Sequence, residues 1–376
     1  MNTLDFGTLR EAVRASHVAI RCRIELRPAD GVNDKAFPSS FAPSVGSRTR
    51  YATETYVEDG VEKLSVLLDS VASSTSRHHL ALQEGLASRE ITFPNPYVDF
   101  TVDEELVDIG RVTALQAPYG LADAIFGDSM LDGTLFWLSE LGHRITDATP
   151  NSATALFLAN PVALLMGMWD STDPKGGVGS KFERAFVSEI VGLGARLGAK
   201  VADSSNPSGA HHESIASSID HQVGEITIET AIQTTVISLT ALRKLHFPTD
   251  ASGAALTGSA RIRVEIAART AIAALGVAAI AHQRDFGYDL GSRCLLVPTQ
   301  EAHMELVPRD GSTPPVFTID RKAANKVLEE AALECAEAGM AWPVDEIRLV
   351  PAPKLCELIK RSRAQSRQSP TSGQGE

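Results

Sequence analysis

Residues 18–26 alternate, with Val18, Ile20, Cys22, Ile24 and Leu26 on one side and Ala19, Arg21, Arg23 and Glu25 on the other. A period of two marks a half-buried strand, so this strand presents two arginines from the face turned away from the core. Over residues 61–86 the apolar positions Leu64, Leu67, Leu68 and Val71 recur at helical spacing, with Ser70, Ser73, Ser74, Ser76 and Arg77 as the polar side. That spacing predicts a helix. Residues 116–126 and 151–158 read as short helices, and residues 131–136 and 162–169 as strands. Residues 226–232 alternate again, residues 236–245 are helix-like, and residues 269–282 form the longest helical stretch. Residues 294–298 and 304–308 are an expected strand pair. Residues 320–338 are an amphipathic helix opened by Asp320 as N-cap and closed by Gly339, and residues 347–350 are the last strand.

Two stretches carry no period. Residues 30–58 are rich in Pro, Ser, Gly and charge, and residues 202–225 are poor in apolar residues, so both read as excursions from the core. Strands and helices interleave without a strict βαβ repeat, which gives an α+β class. The organisation is one domain over residues 1–350 with insertions near 30–58 and 202–225. A basic C-terminal helix and flexible tail follow over residues 351–376, carrying Lys360, Arg361, Arg363 and Arg367 in a Ser/Gln/Gly-rich setting that cannot bury a core.

Composition narrows the function. With 376 residues, 43% hydrophobic and 22% charged, the chain is an ordinary globular one. It shows no signal-peptide pattern, and the Ala-rich segment 267–281 is interrupted by Arg, Thr and Gly, so a cytoplasmic protein without a membrane partner is expected. The four cysteines stand far apart with no CxxC, and the histidine pairs His78–His79 and His211–His212 fall in no metal spacing, so neither a disulfide framework nor a metal site nor a cofactor is indicated. A net charge of −12 argues against an all-over basic surface. Yet between Asp173 and Lys200 five cations face three anions, a local reversal of sign.

That segment holds the densest candidate chemistry. An apolar run ends at Trp169, a loop with Gly176, Gly177 and Gly179 follows, and a helix-like stretch is expected from Lys181, Phe182 and Arg184. Glycines admit close backbone approach, and free N–H groups at a helix start attract oxyanions. A Walker A loop is excluded by spacing, because Gly179 is followed by Ser180 before Lys181 and Pro174 stands where the first glycine belongs. No GxSxG elbow is present, and Asp170 and Asp173 suit turn-backbone bonding more than paired-acid catalysis. Combined with Arg21 and Arg23, the loop and its cations Lys175, Lys181 and Arg184 point to a bound chain of phosphates. An enzyme holding a small phosphorylated ligand in the glycine loop is the alternative, and a purely structural assembly protein is a third reading.

Several motifs resemble one family. They are Ser70 and Ser73 with Arg77, Ala122-Asp123-Ala124-Ile125 with Asp128-Ser129, Asp132-Gly133, and Asn151 with Ala153-Thr154-Ala155-Leu156. Trp169-Asp170-Ser171, the run from Pro174 to Arg184, Val187-Ser188-Glu189-Ile190, Gly287-Tyr288-Asp289-Leu290 and Ser292-Arg293-Cys294 complete the set. Together they are similar to the Csb1 family, the repeated Cas7-type backbone subunits of type I-U (I-G) CRISPR effector, or Cascade, complexes. The resemblance implies a RAMP-superfamily protein with an RRM-like (ferredoxin-like) palm and large finger and thumb insertions. It implies a noncatalytic role in antiviral defence: holding guide RNA (crRNA), joining copies of itself head-to-tail and other CRISPR-associated subunits, and leaving bases free to pair with target DNA. Backbone-directed RNA binding relies on Arg, Lys, Ser and amide groups. Carried onto this sequence, the resemblance assigns RNA contacts to Ser73, Arg77, Lys175, Lys181, Arg184 and Arg293, beside Gly176, Gly177, Gly179 and Ser180 from the glycine-loop reading and Arg21 and Arg23 from the strand argument. Many members carry His-Arg where this chain has Tyr119-Gly120.

Overall fold

The alternating N-terminal stretch forms β1 (His17–Pro28), and Ile20, Cys22, Ile24 and Leu26 are all buried on its inner face. The structure, a computed structural model, describes residues 2–31, 35–38, 51–169, 180–197, 226–291 and 294–368. Lys175, Gly176, Gly177, Gly179 and Arg293, the 202–225 insertion, most of the 30–50 stretch and the last residues of the tail lie outside them.

Residues 61–86 split into two elements rather than one helix. β2 (Thr53–Glu58) and β3 (Val61–Asp69) form an antiparallel hairpin, and α1 (Val71–Ala87) follows after Ser70, whose hydroxyl accepts the Ser73 N–H. The hairpin turn is Asp59-Gly60, both at positive φ. This is the backbone that a two-residue hairpin turn requires and that Asp-Gly supplies. Leu64, Leu67 and Leu68 fit a helical stripe, but β3 buries Val66 and Leu68 against β8 (Phe186–Leu193), its second partner.

Residues 162–190 are also inverted relative to expectation. The apolar run is a helix, α3 (Pro161–Met166), which follows β4 (Tyr97–Asp99), β5 (Ser129–Leu131) and α2 (Glu140–Thr146) in the chain. Asn160 caps α3, Pro161 occupies its first turn, and Gly167 ends it at φ 88°. The segment after the glycines is strand: β6 (Met168–Trp169) pairs with β7 (Lys181–Phe182), and β8 begins at Phe186. No helix N-terminus therefore follows the glycine loop.

In the main sheet, β8 pairs with β9 (Thr230–Ser238), β9 with β1, and β1 with β11 (His303–Pro308), every contact antiparallel. β3 and β2 extend the sheet beyond β8, and residues 316–318 and 2–3 extend it beyond β11. Residues 294–308 do contain two strands, β10 (Leu295–Pro298) and β11, but they do not pair with each other. Both lie along the same edge of the long β1, β10 against residues 26–28 and β11 against residues 17–23. The Thr299 N–H donates to Glu25 O between them.

One face of the sheet is covered by α1 and by α4 (Gly258–Phe286), and α5 (Arg321–Glu337) packs on α4. α4 is long and apolar enough to cross a membrane, yet 83% of that stretch is buried inside the fold. Its alanines and Gly276 permit the close approach: a Cβ at Gly276 would stand 2.7 Å from Ile237 Cδ1. Where sheet meets helix, polar groups satisfy one another. Gln233 donates to Gln283 at 2.9 Å, Tyr288 donates to Gln233, and Ser188 bonds Thr235 at 2.8 Å.

α5 opens as expected, with the Asp320 carboxylate accepting the Ala323 N–H at 2.7 Å and Gly339 at positive φ beyond its end. Asp320→Ala is expected to cost about 1 kcal/mol, to be checked by urea denaturation. A second sheet joins β4, β12 (Arg348–Pro351) and β5. The basic helix α6 (Pro353–Gln368) completes the description. Its cations are partly neutralised within the chain: Lys360 pairs with Asp103 and Glu105, and Arg363 with Asp108.

Candidate nucleic-acid interface

The two faces of β1 separate the arginines from the core. In register across the sheet, Arg21 stands beside Val236 on β9 and Glu305 on β11, and Val236 beside Val187 on β8. The next row is Glu189, Thr234, Arg23 and His303. Because side chains alternate along a strand, these rows share the face opposite the helices. Arg21 is ion-paired to Glu305 at 2.5 Å. Arg23 is exposed and has no ion-pair partner among the described residues.

Arg77 lies on the helical side of the sheet, near the end of β3. Its guanidinium sits 3.3 Å from the buried Asp69 and donates to Asp289 O at 2.6 Å, so it ties α1 to the 288–289 strand. Ser73, half-buried, belongs to the first turn of α1. The sequence gathers Arg21, Arg23, Ser73 and Arg77 into one set, whereas the structure puts two of them on each side of the sheet.

Ser180 is a correction. It is buried, and its hydroxyl points at the carbonyls of Ile145, Thr146 and Ala148. These carbonyls belong to the last turn of α2 and the residues just beyond it. Ser180 fastens the downstream end of the glycine segment to the end of α2 and turns no hydroxyl outward.

Lys181 and Arg184 do face solvent, and neither has an acidic partner among the described residues. Lys181 pairs in register with Trp169 on β6, and its ammonium lies 5.4 Å from the indole centroid. The Arg184 stem crosses Gly167, where a Cβ would meet Arg184 Cγ at 2.7 Å and Phe182 O at 3.2 Å. Gly167 thus combines a left-handed φ with a close crossing, two conditions glycine alone meets cheaply. The Ser238 N–H donates to Ala185 O, so this connector continues the sheet at the end where β8 begins.

Beneath Arg184 lies a histidine pair. His78 is fully buried, with Nδ1 bonded to Ser74 O and its ring edge against Phe186 at 4.7 Å. Burial first, and the neighbouring His79 after it, hold its pKa down to about 4. His79 is likewise lowered to about 4, by burial and then by Arg184. Both rings are neutral at pH 7, so the positive charge here belongs to the arginine. The cysteines are buried: burial pushes Cys22 up to about 12 and Cys294 up to about 11, which keeps both as unreactive thiols.

An α+β protein with an open antiparallel sheet and, at one sheet end, exposed cations without acidic partners among the described residues belongs to the class that can bind a polyanion. Residues 20–197, just under half of the chain, match the model of the family described as CRISPR-associated protein GSU0053. No curated protein matches the sequence. The family match supports a CRISPR-associated protein with a role in CRISPR defence, whose partners are other CRISPR-associated components or RNA.

Proposed function

We propose that the chain is a noncatalytic, guide-RNA-binding backbone subunit of a type I-U/I-G surveillance complex. It works in the cytoplasm, repeats head-to-tail along the RNA beside other CRISPR-associated subunits, and presents bases for pairing with target DNA. The observation that carries this reading is the pair Lys181 and Arg184, exposed and without acidic partners among the described residues, inside the segment that matches a CRISPR-associated family. An RRM-like palm is supported by the strand order β11-β1-β9-β8, antiparallel throughout. Along the chain this is a strand, a helix, two strands, a helix and a strand, with the β2–β3 hairpin inserted ahead of the first helix. The proposed 202–225 insertion falls in the chain between β8 and β9. Lys175 and Arg293, on the resemblance, and Gly176, Gly177 and Gly179, on the glycine-loop reading of the sequence, join Arg21, Arg23, Lys181 and Arg184 as proposed contacts.

A small phosphorylated ligand is the weaker reading, because the amides of a helix start are replaced by a strand at β7 and Ser180 is turned inward. The test is expression with the guide locus. RNA of defined length should co-purify, and Lys181→Glu with Arg184→Glu should weaken binding and lower the salt slope by about 1.4, roughly 0.7 for each cation on a single strand. Protein that carries no RNA and forms no multi-subunit particle would count against the proposal.

A further inference from the structure

Two aromatic rings stand out in solvent: Tyr119, 79% exposed, and Trp169, 62% exposed. Of the three tryptophans, Trp137 is buried and Trp342 packs on Phe157, which leaves Trp169 as the one held outward. It is not a loose side chain. Its backbone is fixed in the β6–β7 ladder opposite Lys181, whose ammonium lies over the ring. β6 also packs against the 120–122 turn that follows Tyr119.

Behind Lys181 a groove of about 350 Å³ runs between Leu164, Phe182 and Leu245, with Lys244 at its rim. Lys244 is bound only loosely to Glu183, at 3.8 Å between two exposed side chains, a pairing that contributes little. An indole with the Lys181 ammonium over it, and Lys244 on the groove that Lys181 also lines, match the two halves of a nucleotide, a flat base and an anionic phosphate. Aromatic stacking binds bases of every type through their π faces, and adjacent cations track the backbone.

From this geometry we infer that Trp169 is a stacking platform for one unpaired nucleobase, with Lys181 and Lys244 on its phosphate. The inference rests on the RNA-binding reading and adds a base contact to one built on backbone contacts. It also gives the exposure of Trp169 a use: the ladder that places Lys181 holds the Trp169 backbone directly opposite it.

The test is a titration of the full chain with short oligouridine, and with oligothymidine of equal length to separate RNA from DNA, followed by tryptophan fluorescence. Quenching is expected with oligonucleotide and not with dextran sulfate, which offers charge without bases. Trp169→Ala should weaken binding about tenfold while leaving the salt slope unchanged, because the lost contact is not ionic. Trp169→Phe should restore most of the affinity. Unchanged affinity in Trp169→Ala, with the Lys181→Glu and Arg184→Glu variant still impaired, overturns the stacking site and leaves RNA binding intact. Loss of particle assembly at constant oligonucleotide affinity overturns it in favour of a subunit contact. No binding by the wild-type chain overturns both.

Discussion

Gly142→Ala is expected to destabilise the protein by about 3 kcal/mol, at the upper end of overpacking costs, although alanine is the better helix former by about 1 kcal/mol. Gly142 sits in the first turn of α2, where its N–H donates to Ser139 Oγ. A Cβ there would lie 1.9 Å from Phe136 O, 2.8 Å from Phe136 C and 2.8 Å from Trp137 Cα. All three are backbone atoms of a turn whose side chains, Phe136 and Trp137, are buried, so no rotamer change relieves the clash and the helix must move. Gly7→Ala is the control: its added Cβ meets only Asp5 Oδ1, at 3.5 Å, and it should be neutral or slightly stabilising. Thermal melts of the two variants check the contrast. Because Ser180 is fastened to the far end of α2, Gly142→Ala should also weaken the proposed RNA binding at temperatures where the chain is still folded.

Acidification is expected to destabilise the fold well before its carboxylates titrate. His78 has a folded pKa of about 4 against about 6.5 in the unfolded chain, so the unfolded state binds more protons between those values. Its contribution is fully present above pH 6.5 and is lost as pH falls toward 4, about 2 kcal/mol of it by pH 5. His79, likewise lowered to about 4 by burial and then by Arg184, acts in the same sense. His17, also lowered by burial and then by Arg243, adds to the slope. His78→Phe keeps an aromatic edge on Phe186 and cannot take up a proton, so the variant should lose less stability between neutral pH and about pH 5 than the wild type. Parallel acid melts decide it: identical slopes in the two proteins would remove His78 from the account.

The elements legible from sequence are those where two signals coincide. β1 has strict alternation and no competing period, and α5 has both a cap and a stop. β3 was hidden because positions 64, 67, 68 and 71 satisfy a helix while 64, 66 and 68 satisfy a strand. The Asp59-Gly60 turn was the signal that separates them. The α3 run is buried on all sides and therefore carries no period, so its only markers were Asn160, Pro161 and Gly167. In β8 the inward positions include Ser188, and a polar residue facing in masks the alternation of Phe186, Ile190 and Gly192. Its hydroxyl is satisfied by Thr235, a partner 47 residues away that local spacing cannot reveal. The same limit applies to the site. Exposure of Lys181 and Arg184 agrees with a cationic segment, but the inward Ser180 and the partition of Arg21 from Arg77 depend on long-range pairing, and Trp169 carried no periodic signal at all.

The two sheets are closed by the last parts of the chain. β12, at residues 348–351, is the strand that holds β4 and β5 in one sheet, and β11 covers an edge of β1 some 280 residues earlier. A nascent polypeptide leaving the ribosome therefore shows bare strand edges until almost all of it has been synthesised, and edges of that kind recruit other chains. Residues 20–197 produced alone, without β9 and β11, would leave β1 unpaired on both sides and should collect in inclusion bodies. Production of the intact protein should correspondingly depend on chaperones or slow translation more than its ordinary composition suggests.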